Sequence, residues 1–251
     1  FVHVSCLAEQ AKILYAEAEE NNLDLKVKDE RFARWRTCSL CEQKYHGAVS
    51  CALGWACWKT YVARPETDMP RRMAMEVLGR GLFEGGHYDD ALSVGETELS
   101  TERRLGASEQ NMLITEGNLA STYQMLGRNE EALRRQRDVY FGFLKLKGDQ
   151  YRDTLREANN YASLLKRLKN FEEARSLLRK TVAVARSVLG KNDSLALKLR
   201  ALYAEVLYED PAATLHDLRE AVTTFEDTER IVRRVFGGAH PITAGMGKAL
   251  R

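Results

Sequence analysis

The residues best suited to chemistry are gathered near the start of the chain. His3 and Cys6 are separated by two residues, and so are Cys38 and Cys41. Imidazole and thiolate ligands at that interval suit zinc, because one tight turn then supplies two of the four ligands of a tetrahedral site. A second grouping overlaps the first. Cys38-x2-Cys41-x4-His46-x4-Cys51 holds four ligands in one stretch and could complete a site within this chain. All five cysteines precede residue 58; the odd count argues against a disulfide scaffold and for an intracellular, cytoplasmic chain whose cysteines serve metal or packing. Elsewhere there is no phosphate loop, dinucleotide glycine motif or nucleophile elbow. Asp and Glu are plentiful but stand beside Lys and Arg, as in Glu130-Glu131 before Arg134-Arg135, the pattern of solvated ion pairs. No acid, base and nucleophile are set together, so the sequence assigns no intrinsic catalysis.

The elements that must position these residues follow from a period. Gly106, Gly148 and Gly190 are each 42 residues apart (148−106, 190−148), and Asn118-Leu119-Ala120 returns at the same interval as Asn160-Tyr161-Ala162. Glu130-Glu131-Ala132 likewise returns as Glu172-Glu173-Ala174. A period in this range marks a stacked repeat, in which no unit buries its apolar face alone. Each repeat reads as two helices, the second unit as Glu109–Leu126 and Asn129–Leu146 with a turn at Gly127-Arg128. Small Ala120, Ala132, Ala162 and Ala174 mark places where helix backbones approach closely. The unit ending at Gly237 carries an insertion at Asp210–Thr214, and a further helix is expected beyond it. Four prolines fall at element boundaries. Cys51 and Cys57, set among Ala52, Leu53, Trp55 and Trp58, read as core residues of a helix packed on the first repeat. Lys12–Arg36 reads as a helix, a solvated turn at Asn21-Asn22 and a short link; His87 and His216 read as surface residues. The net charge of +2 favours neither nucleic acid nor a membrane surface as partner, and the longest apolar stretch, Ala48–Trp58, is too short and too interrupted to span a bilayer. The chain opens on Phe1 inside motif-like sequence, and an upstream segment is expected.

The series of small residue, aromatic, glycine and alanine, such as Ala162, Phe171 and Ala174, resembles the tetratricopeptide repeat (TPR) family in its long, kinesin-light-chain-like form. The resemblance implies an all-α fold, a right-handed α-solenoid of TPR helix pairs over residues 70–251. In that family the first helix of each pair lines a peptide groove. Carried over by position, the groove residues are Asn118, Ser121, Gln124, Arg156, Asn159, Asn160, Lys166, Arg167 and Lys198. Asparagines there can bond an extended peptide backbone while cations hold its acidic groups, so a protein or acidic peptide partner is expected.

The order His-x2-Cys then Cys-x2-Cys, with Tyr45 four residues after Cys41, resembles the C-terminal part of a RING-CH-type zinc finger over residues 1–50, followed by a connecting helix or linker at 51–69. The resemblance implies zinc as cofactor. His3 and Cys6 would share one ion, and Cys38 and Cys41 another, each with an earlier Cys pair that is not among these 251 residues. The functional expectation is a protein-interaction adaptor with a zinc-binding remnant. One alternative is the substrate-recruiting part of a RING-CH-type ubiquitin ligase, partnered by a ubiquitin-conjugating enzyme. A second, from the Cys38-to-Cys51 spacing, is a CCHC zinc-knuckle nucleic-acid binder.

Overall fold

The computed structural model describes residues 3–237, so the helix expected beyond Gly237 lies outside the described residues. Among these, every regular element is helical, and one isolated antiparallel bridge joins Thr37 to Lys44. No helix of the described residues is long and apolar enough to cross a membrane. The chain divides into two compact units, Phe1–Gly127 and Arg128–Arg251.

The first unit contains α1 (Val4–Glu20), α2 (Leu25–Phe32), a 3-10 turn at Ala33–Trp35, α3 (Gly47–Tyr61), α4 (Met69–Glu84), α5 (Tyr88–Leu105) and α6 (Glu109–Met125). The turn at Asn21-Asn22 is found, with Asn22 at φ +46. The expected short link is instead a second helix, because Asp24 caps it by accepting a hydrogen bond from the Val27 N–H at 2.9 Å. That helix delivers Phe32, and the turn after it Trp35, into a buried aromatic cluster with Tyr15 and Tyr61, at ring separations of 5.2–6.2 Å. Cys57 is buried beside them, and burial pushes its thiol pKa up. Apolar packing therefore organises this N-terminal segment, with α1 and the 3-10 turn laid against α3.

Helices α3 and α4 meet through their backbones. A Cβ on Gly81 would stand 2.6 Å from the Ser50 carbonyl oxygen, and one on Gly54 would stand 3.0 Å from that of Val77. Cys51 sits in the same seam, its Cβ 2.9 Å from where a side chain on Gly85 would begin. Both core cysteines thus lie on a helix packed on the first repeat, as their apolar surroundings predicted.

The second unit contains α7 (Asn129–Lys147), α8 (Arg152–Arg167), α9 (Phe171–Leu189), α10 (Ser194–Glu209) and α11 (Leu215–Phe236). Successive helices pack on one another, and α8 also lies against α10. Ala162, Ala174 and Ala204 are fully buried in a continuous core with Leu165, Leu178, Leu199 and Leu207. The period is visible in the polar contacts too. Tyr161 donates its hydroxyl to Glu173 at 2.5 Å, and 42 residues later Tyr203 donates to Glu220 at 3.1 Å, each joining the first helix of a pair to the second. The register glycines end helices with positive φ, +67 at Gly106, +83 at Gly148 and +87 at Gly190, where a Cβ would be strained. Lys169 takes φ +61 at the slot 42 residues after Gly127 (169−127), an unusual conformation for a residue bearing a side chain.

The insertion between α10 and α11 is a built turn. Thr214 and Asp217 form a reciprocal capping box at the start of α11. Arg175 reaches from α9 to Asp210 at 3.1 Å and to Asp217 at 3.4 Å. The Asp217 carboxyl is held below its usual range by bonds from the Thr214 backbone and hydroxyl, and further by Arg175.

Candidate functional site

The two predicted metal-binding pairs occupy different kinds of backbone. His3 is the residue before α1, and its carbonyl accepts the Cys6 N–H at 3.0 Å, so His3 and Cys6 share the exposed first turn of a helix. Cys38 and Cys41 lie in a loop closed on itself. The Cys38 N–H donates to the Gln43 carbonyl at 2.9 Å, the Glu42 N–H donates to the Cys38 carbonyl at 3.0 Å, and Glu42 takes φ +56. At the tip the Leu40 N–H points at the Cys38 sulfur at 3.5 Å. Backbone bonds from Cys41 and then Leu40 lower the Cys38 thiol pKa, favouring the thiolate that a metal requires.

The self-contained knuckle does not form among the described residues. His46 stands before α3 with its Nδ1 3.3 Å from a Glu84 carboxylate oxygen, and Cys51 is engaged in the α3–α4 seam. The helix starting at Gly47 takes up the residues that a knuckle would fold back towards Cys38. His87 and His216 are exposed, as predicted. His216 stands within 4.8 Å of Asp217 and Glu220. Both carboxylates are already used, Asp217 by Thr214 and Arg175 and Glu220 by Tyr203.

The predicted groove residues fall on the first helices of their pairs and divide between the units. In the first unit, Asn118 is exposed on α6; Ser121 donates back to the Gly117 carbonyl of its own helix at 3.1 Å, and Gln124 is partly buried. In the second unit, Arg156, Asn159, Asn160, Lys166 and Arg167 lie on α8 and Lys198 on α10. Several of these are committed internally. Glu157, only 5% exposed, accepts from Gln136 at 2.8 Å, from the Arg156 Nε at 2.9 Å and from Asn160 at 3.1 Å. Arg156 also meets Asp153 at 2.6 Å. Lys166 crosses to α10, donating to Glu205 at 2.7 Å and Glu209 at 2.9 Å. Arg167 and Lys198 are exposed. Asn118 and Asn160 thus hold equivalent sequence slots with different roles, one facing solvent and one tied to a buried carboxylate.

One feature of the first unit escaped the sequence reading. A cavity of about 280 Å3 opens among α4, α5 and α6, lined by Glu76, Glu98, Glu102 and Asn118. Its acids looked like ordinary solvated residues, and only the packing shows that Glu102 is buried.

With this geometry in place, known proteins sharpen the fold. Residues 154–194 match the tetratricopeptide repeat family model. No curated protein matches the sequence. Among solved structures, a kinesin-light-chain-type protein with nearly identical TPR-like repeats from Podosopora anserina is similar over 94% of this chain and 99% of its own, at 17% identity and a TM-score of 0.61. BtubC (BKLC) from P. vanneervenii is similar over 95% of this chain and 92% of its own, at 14% identity and a TM-score of 0.69. The apo form of RapI is similar over 96% of this chain and 92% of its own, at 12% identity and a TM-score of 0.54. At these identities the likeness is one of fold. The fold is that of a TPR repeat protein, with kinesin-light-chain-like structures among those it resembles.

Proposed function

We propose that this protein is an interaction adaptor that holds a short acidic peptide on the α8–α10 face of its second unit. The observation that carries the reading is the pair of exposed cations, Arg167 and Lys198, on adjacent first helices of a TPR fold, with partly buried Asn159 on the same α8. Ion pairs hold Arg156 and Lys166 in place, whereas Arg167 and Lys198 form no salt bridge among the described residues and are ready to meet a ligand carboxylate. Such contacts suit affinities of about micromolar strength. Fluorescence anisotropy with labelled acidic, neutral and basic peptides tests this. Acidic peptides are expected to bind, and Arg167→Glu with Lys198→Glu is expected to weaken them at least tenfold. Unchanged binding in the double variant would place the contact elsewhere.

A second reading is supported by the Cys38–Cys41 loop. Its backbone N–H aimed at a sulfur and its lowered thiol pKa fit half of a structural zinc site, with zinc supplying only a structural anchor for the turn. His3 and Cys6 would serve a separate ion, as in a RING-CH-type finger; ligase activity would need a complete finger and, beyond it, a docking surface for a ubiquitin-conjugating enzyme. The test is zinc content of the natural full-length protein by elemental analysis. Cys38→Ser with Cys41→Ser is expected to remove one equivalent; full retention would end this reading, and with it the ligase alternative.

A further inference from the structure

We infer that the cavity among α4, α5 and α6 of the first unit binds the cationic side chain of a peptide, arginine by preference, against the carboxylates of Glu98 and Glu102. The inference rests on the adaptor reading for the kind of ligand, but concerns another surface and the opposite charge.

The argument begins with which charges are already matched. Four acids line the cavity, Glu66, Glu76, Glu98 and Glu102. Glu66 is met by Arg104 at 2.5 Å and by Arg71 at 3.9 Å, and Glu76 by Arg36 at 3.0 Å. Glu98 is left with Arg72, which lines the same cavity; Glu102 takes a hydrogen bond from the Thr115 hydroxyl and then the field of Arg72, and burial outweighs these in both carboxyls. Glu102 is 8% exposed, and its Oε2 is buried with no hydrogen-bond partner. A buried carboxylate oxygen without a donor costs free energy that a ligand N–H would recover. Burial, then Glu76 and then Glu102 push the Glu98 carboxyl up to about 8, so a proton partly fills the place of a missing cation.

The walls suit the rest of such a side chain. Met69, Met75 and Ile114 give apolar surface for a methylene stem, while Asn118 offers an amide to the backbone that carries it. Two neighbouring carboxyls favour the planar, five-donor guanidinium over a compact ammonium. The cavity, about 280 Å3, is large enough to admit one such side chain.

The test uses the whole chain with methyl-labelled methionine and follows Met69 and Met75 by NMR, assigned through single Met→Leu variants. N-acetyl-arginine amide is expected to shift these signals saturably, and the neutral citrulline analogue to bind at least tenfold more weakly. Glu98→Gln with Glu102→Gln is expected to cut arginine binding at least tenfold while leaving the methionine spectrum of the free protein folded and dispersed. Equal binding of citrulline, unchanged binding in the double variant, no shift with arginine amide, or a response to calcium ions without one to arginine would each overturn the inference. Acidic peptides still bound through Arg167 and Lys198 in that event would leave the adaptor reading standing.

Discussion

Gly81→Ala is expected to lower the stability of the first unit by about 3 kcal/mol, a large effect for one methyl group. The added carbon would stand 2.6 Å from the Ser50 carbonyl oxygen and 3.2 Å from the Cys51 Cα. Both are backbone atoms of a packed helix, so neither can turn aside as a side-chain tip could. The natural control is two residues away. A Cβ on Gly79 would meet only a Val94 methyl at 3.4 Å, an ordinary contact. Gly79→Ala is therefore expected to be neutral or to stabilise by up to about 1 kcal/mol, through reduced freedom of the unfolded chain. All three tryptophans, Trp35, Trp55 and Trp58, belong to this unit, so urea unfolding followed by their fluorescence reports on it directly. Equal midpoints for the two variants would contradict the backbone contact between α3 and α4.

In the second unit, Glu157→Ala is expected to cost about 3 kcal/mol. The carboxylate is buried and is the acceptor for Gln136, which is itself 1% exposed. Its removal leaves that amide without its side-chain acceptor and strands the Asn160 amide that shares the same oxygen. Arg156→Ala provides the comparison. It breaks two ion pairs, but its side chain is 47% exposed and water replaces what is lost, so the cost is expected to stay below about 1 kcal/mol. Denaturant melts followed by circular dichroism separate the two cases. A Glu157 variant no weaker than the Arg156 variant would mean that the buried cluster contributes little.

Much of the fold was legible because the repeat writes its geometry into residue type. Glycine ends a helix at positive φ with the least strain, and alanine fits where a core helix leaves no space, so Gly148, Gly190, Ala162 and Ala174 announce their places. The backbone seam between α3 and α4 was not legible, since Gly81 lies off the positions matched across repeats and its neighbour Ser50 comes from before the array. The helix at α2 was hidden by charge, its single fully buried residue being Phe32. The groove residues were found as positions but not as chemistry. Whether a lysine is free depends on residues far along the chain, and the partners of Lys166 lie 39 and 43 residues away. The acidic cavity was missed for the same reason, because burial of Glu102 arises from the packing of three helices.

The bond from Lys166 on α8 to Glu205 and Glu209 on α10 carries one more implication. A visiting carboxylate that draws this ammonium away must loosen the clamp between consecutive first helices. Occupancy and inter-repeat stiffness are then linked in both directions, and stretching the array would weaken its hold on such a guest as surely as the guest would soften the array.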